Sequence, residues 1–187
     1  MKRYFIFFVV GLMVMGLPLL SKAQKYSAIT ISDGEVLEFL NSIQASSSTP
    51  IVLSETPETE SLVRVLKRVL ADTIFTNDER DFIRRELTNL SDYKWKKGMI
   101  KNTRIITEHE IDKLFYKKKA DGWPMFYYKY GKGITGFSVP LFTADKTKCV
   151  VFRSYSCGAV CGEGAGMIYK KVDGKWVLMA IIPDWVS

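Results

Sequence analysis

"GMIYKKVDGKWVLMAII", residues 166–182, decides the fold. Two runs rich in β-branched and aromatic residues flank Asp173-Gly174. A two-residue type I′ turn needs positive φ at both central positions, and Asp-Gly supplies this at little cost. The stretch therefore predicts a β-hairpin with strands over 166–172 and 175–182. In the second strand both parities are apolar: Trp176, Leu178, Ala180 and Ile182 alternate with Val177, Met179 and Ile181. Such a strand is expected to be covered on both faces.

Working outward, the same period continues upstream to Gly131. Short runs over 134–142 and 148–155, separated by turn residues, read as two further strands. Before Gly131 the apolar spacing becomes helical. Ser32 with Glu35, Thr76 with Glu79, and Thr107 with Glu110 each place a hydroxyl three residues ahead of a glutamate, the spacing of a capping box. They predict helices over 33–43, 77–90 and 108–118. The buried faces would carry Val36, Phe39, Leu40 and Ile43, then Phe82, Ile83 and Leu87, then Ile111, Leu114 and Phe115. A fourth helix over 60–70 presents Leu62, Val63, Leu66, Val69 and Leu70 on one stripe, and residues 45–50 read as a polar linker within the domain. The expected class is α+β, with N-terminal helices packed on a C-terminal antiparallel β-meander of about four strands.

The first 23 residues read as a secretory signal peptide: Lys2 and Arg3, an apolar run to Leu20, then Ser21-Lys22-Ala23 with cleavage expected after Ala23. The remainder, 24–187, is long enough for a single domain with a real core. No later apolar run is long enough for a membrane span. Cleavage removes three bases and no acid from a formal charge of +7, leaving +4. The remaining lysines alternate with acids such as Asp92, Glu108 and Asp112, which describes a solvated face and not a nucleic-acid groove. The expected location is periplasmic or secreted.

"SYSCGAVCGEGAG", residues 154–166, holds the densest candidate chemistry. Export favours pairing of Cys157 with Cys161, a small ring contributing about 2 kcal/mol of chain-entropy stabilisation. Cys149 is left over, either as a buried, unpaired thiol or as an odd cysteine open to intermolecular pairing. Zinc would need His109, the single histidine, to join three cysteines, and no second ligand pair accompanies them. Thiol exchange prefers C-x-x-C at a helix N-terminus, whereas a strand follows here. No metal and no cofactor are expected. The glycines are read as supplying positive φ in a wide hairpin loop. Glu163 is the one acid in this loop, and Asp121 and Asp184 are candidate partner carboxylates for a hydrolase. Trp123, Phe126, Tyr127 and Tyr130 fall on one helical face, which either docks on the sheet or serves as an exposed aromatic platform.

The ordered segments "FTNDERDFIRREL", "KWKKGMIKNTRIIT", "GWPMFYYKYG", "FSVPLFTADKTKCVVF", "YSCGAVCG", "KKVDGKWVL" and "DWVS" resemble a group of small exported proteins of Bacteroidetes-type bacteria. The resemblance covers residues 75–187. It implies export and the helix-then-meander layout, and it carries no catalytic residue. The leading expectation is an exported, non-catalytic module that binds a ligand or protein partner in the cell envelope, using Glu163, Trp123, Tyr127 and Tyr130. The alternative is a periplasmic hydrolase or thiol-redox enzyme built on Glu163, His109 or the Cys157/Cys161 pair. A third is an inhibitor-type protein that plugs a partner's active site with the loop.

Overall fold

Asp173 and Gly174 both have positive φ, 49° and 78°, as the hairpin turn requires. The computed structural model describes residues 32–44, 50–71, 73–88, 90, 93–116 and 122–187. The signal peptide, most of the 45–50 linker, the end of the 108–118 helix and Asp121 lie outside the described residues.

Among the described residues, five helices accompany a seven-stranded sheet. In chain order these are α1 (Asp33–Gln44), β1 (Ile51–Ser54), α2 (Thr59–Val69), α3 (Asn77–Leu87), β2 (Thr103–Ile106), α4 (Glu108–Phe115) and α5 (Trp123–Tyr130). Then follow β3 (Ile134–Phe137), β4 (Leu141–Phe142), β5 (Lys148–Gly158), β6 (Cys161–Val172) and β7 (Lys175–Val186). The sheet order is β2-β1-β3-β5-β6-β7, with β4 paired to β5.

The α+β class holds, but the sheet is mixed, not an antiparallel meander of four strands. β1 pairs in parallel with both β2 and β3, and the antiparallel part begins at β3. The sequence reading assigned neither β1 nor β2. "IVLS" and "TRII" are four residues each, too short to show a period, and their pairing depends on strands far along the chain. The expected strand over 134–142 divides into β3 and β4, because Pro140 has no amide to continue the ladder. At the break Ser138 and Phe152 stay paired: the Ser138 amide donates to the Phe152 carbonyl at 2.9 Å and the Ser138 hydroxyl accepts from the Phe152 amide at 2.8 Å.

The capping boxes at Thr76/Glu79 and Thr107/Glu110 are formed, and Ser32 and Glu35 exchange the same pair of bonds at 3.4 Å each. α2 buries Leu62, Val65, Leu66 and Val69. It lies on the sheet face that carries Gly166, where an added Cβ would come within 2.2 Å of Val65 Cγ1. Of Gly158, Gly162, Gly164 and Gly166, none has positive φ. The wide loop is therefore corrected to a tight hairpin, with Ala159-Val160 between two strands. The strand glycines instead leave room for large side chains: Gly162 and Gly164 for the Trp185 indole, Gly166 for Val65.

A polar clamp fixes the same helix. Glu58, just before α2, accepts from Ser154 Oγ at 2.7 Å and Ser61 Oγ at 2.9 Å. Arg64 and Arg68 grip Asp184 of β7 at 3.0 and 2.7 Å. On the opposite face Phe39 of α1 packs edge-on against Tyr169 and Trp176. A second, smaller core under α4 and α5 joins Val52, Ile106 and Phe126.

β7 departs from its expected double cover. Among the described residues it is the last strand of the sheet and pairs only with β6. Val177 and Ile181 are 48% and 52% exposed, and Leu178 and Met179 are similarly open. The helices cover only part of each face, so a strand apolar on both parities is left partly bare.

Gly166→Ala should destabilise the protein by about 1–3 kcal/mol, because Val65 is fully buried and β-branched and has no room to retreat. Urea unfolding of G166A, V65A and the double variant checks this. The two changes should cost less together than the sum of their separate effects.

Candidate functional site

The β5–β6 hairpin brings Cys157 and Cys161 to disulfide-bonding distance, with Cα atoms 5.1 Å apart. Gly158 pairs with Cys161 across the hairpin, just past a register shift that begins after Ser156. The bridge thus crosslinks adjacent strands beside their turn. The tip is held from two sides. Tyr127 of α5 donates its hydroxyl to the Cys157 carbonyl, and Gly162 exchanges backbone hydrogen bonds of 3.0 and 3.3 Å with Ser187. At the turn itself Val160 is 85% exposed. Cys149 is fully buried opposite Tyr169, and burial raises its thiol pKa well above the ordinary value, so it is held protonated and unreactive.

The aromatic helix divides between the two expected outcomes. Phe126 is fully buried, and its ring meets Trp123 edge-on and stacks on Tyr130. Trp123 and Tyr130 are half-buried in the same cluster. Only Tyr127 of the four is open, at 42%, and its hydroxyl is already committed to the hairpin tip. Face and sheet dock, so these side chains do not form a bare platform.

Tyr130 has a second role that the sequence reading missed. Its hydroxyl and the Lys129 ammonium both donate to Glu110 Oε1, tying α5 to α4. The phenol first and the ammonium second hold the Glu110 carboxyl down at about 2.

The proposed catalytic groups do not converge on the hollow beside Glu163. His109 sits exposed in the first turn of α4. Asp184 is taken up by Arg64 and Arg68 and is a structural residue. Glu163 is exposed on β6, directly opposite Tyr155. It lines a hollow of about 110 Å³ with Arg153, Tyr155, Ala165, Met167 and Ile181, and neither a cysteine nor a second carboxylate lines it. Among the described residues no group of three or more His, Cys, Asp and Glu is placed to hold a metal ion. Nor is any helix among them long and apolar enough to cross a membrane.

Register explains the hollow. Arg153 faces Ala165, Val151 faces Met167, and Met167 faces Ile181 across neighbouring strands, so these side chains share the face that carries Tyr169. α1 covers the Tyr169 end of that face and leaves the Glu163 end uncovered. Tyr155 separates this hollow from a second one, about 280 Å³, which it shares with Tyr130, Lys132, Gly133 and Thr135. Sequence reasoning found Glu163 here and missed Arg153, Tyr155, Met167 and Ile181. A signal existed: Arg153 follows directly on the apolar run "CVVF" within β5.

Compared with protein families, with curated proteins and with solved structures, the chain found no match in any of the three.

Two outcomes follow. Thiol alkylation read by intact mass should add no label to the native protein, two labels after mild reduction, and a third only on denaturation. Labelling of Cys149 in the native state would contradict its burial. For Glu110, the folded carboxyl titrates below its ordinary value of 4.5, so its stabilisation is present above that pH and is lost as pH falls toward about 2. Glu110→Gln, which keeps a capping acceptor, should cost about 1 kcal/mol near neutrality, given the partial exposure of the site. In urea unfolding the gap between variant and parent should close near pH 2.

Proposed function

We propose that the mature chain is an exported, non-catalytic binding domain of the cell envelope, whose contact surface is the uncovered end of the β5-β6-β7 face. The observation that carries this reading is the hollow itself. A cation, an acid, an aromatic ring and three apolar side chains line one open concavity, without the paired groups that acid-base or thiol chemistry needs. Export is supported by the basic, apolar and small-residue pattern of residues 1–23 and by the paired cysteines, which persist in oxidising compartments.

The disulfide is scaffolding in this reading. It fixes the hairpin whose strands carry Tyr155 and Glu163 directly opposite each other. One observation favours a second reading, in which the turn plugs a partner's active site: the exposed Val160 projects from a crosslinked tip.

A panel of immobilised sugars, peptides and envelope proteins, probed with the purified mature protein, separates these readings. Tyr155→Ala combined with Ile181→Lys should abolish the signal, while Val160→Lys should leave it unchanged. The reverse pattern supports the plug. Chemical turnover of the bound species would overturn the non-catalytic assignment.

A further inference from the structure

Arg153 lies in the interior of β5, between Phe137 of β3 and Ala165 of β6. Its Nε is buried with no hydrogen-bond acceptor. Every other described arginine has a partner. Arg64 and Arg68 hold Asp184, Arg84 holds Asp81, and Arg80 reaches Asn77. Arg85 lies over the Phe82 ring, and Arg104 donates to the Lys129 carbonyl. Arg153 forms no ion pair and no hydrogen bond among the described residues, even though Glu163 lines the same hollow.

Burying the Arg153 Nε without an acceptor costs desolvation free energy, and the electrostatic interaction of the guanidinium with Tyr169 on the same face supplies it no acceptor. The planar fork of the guanidinium matches carboxylate or phosphate geometry. The surroundings choose between them. Glu163 places a negative charge on the same small hollow, which penalises a dianion and suits a singly charged carboxylate with a hydrogen-bond donor beside it. Met167, Ala165 and Ile181 complete the lining with apolar surface. At about 110 Å³ the hollow is below the range of drug-sized or cofactor sites, roughly 300 Å³ and above, so it takes one unit or the end of a chain.

We infer that this hollow binds the carboxylate end of an apolar α-amino acid, either free or at the C-terminus of a peptide. The carboxylate lies on Arg153, the adjacent N–H donor faces Glu163, and the side chain rests on Met167 and Ile181. This rests on the binding-domain reading above and supplies its ligand chemistry.

The test uses the purified mature protein and three probes, L-leucine, N-acetyl-L-leucine and L-leucinamide, followed by amide NMR shifts. Leucine and N-acetyl-leucine should perturb residues of β5, β6 and β7 around the hollow, and leucinamide, which lacks the carboxylate, should not. Arg153→Gln should weaken both acids by about tenfold or more. Glu163→Gln should weaken leucine, whose ammonium carries a full charge, more than N-acetyl-leucine. Stronger binding of N-acetyl-leucine than of leucine assigns the site to peptide ends, and the opposite order assigns it to free amino acids. The inference is overturned if leucinamide binds as well as the acids, if R153Q binds them like the parent, or if none of the probes shifts these residues. Because the probe comparison needs no variant, misfolding of R153Q leaves the test intact. Should the probes fail while the Tyr155 and Ile181 changes still abolish the panel signal, the surface stands and this ligand falls.

Discussion

The close approach of α2 to β6 at Gly166 is the constraint on which the remaining architecture depends. A helix that packs on a sheet normally rests on side chains, but Val65 descends to where a Cβ would lie. That intimacy sets the height of α2, and the Glu58–Ser154 and Arg64/Arg68–Asp184 contacts at its two ends set its direction. Dispersion across such a fit is sensitive to a single methyl group, whereas the flanking polar contacts confer alignment more than stability. Arg68 also donates to the Pro183 carbonyl beside Asp184, adding a backbone contact to the grip on β7.

Because α2 occupies one face so closely, the opposite face is left to α1, a single helix laid over Tyr169 and Trp176. It is too short to cover three strands of eleven or twelve residues. The uncovered end, with Arg153, Tyr155 and Glu163, is thus a product of element lengths as well as of local sequence. The hairpin bridge and the Tyr127 hydroxyl hold that end in register while leaving it accessible.

Much of the local structure was legible from residues. The Asp173-Gly174 turn, the capped helices, the pairing of Cys157 with Cys161 and the burial of Cys149 follow from turn chemistry, cap spacing and thiol behaviour, all of which act over a few residues. What escaped was long-range. β1 and β2 are strands only because β3 and each other are present, and nothing within "IVLS" or "TRII" distinguishes them from short helical or loop runs. The glycines of β6 were misread for a related reason: whether a glycine serves a turn or a neighbour's bulk depends on what packs against it, here Trp185 and Val65. For the site, Glu163 stood out by its isolation, whereas Arg153 is informative only once its lack of a partner is known.

The pairing of Phe39 with Tyr169 and Trp176 has a consequence for how the chain reaches its native state. During vectorial synthesis, the apolar stripe of the first helix emerges long before the aromatic residues that receive it, and α2 likewise waits for Gly166. Contacts of such high sequence separation close late. Until the C-terminal hairpin arrives, the apolar faces of both helices lack the surfaces they pack on in the finished fold.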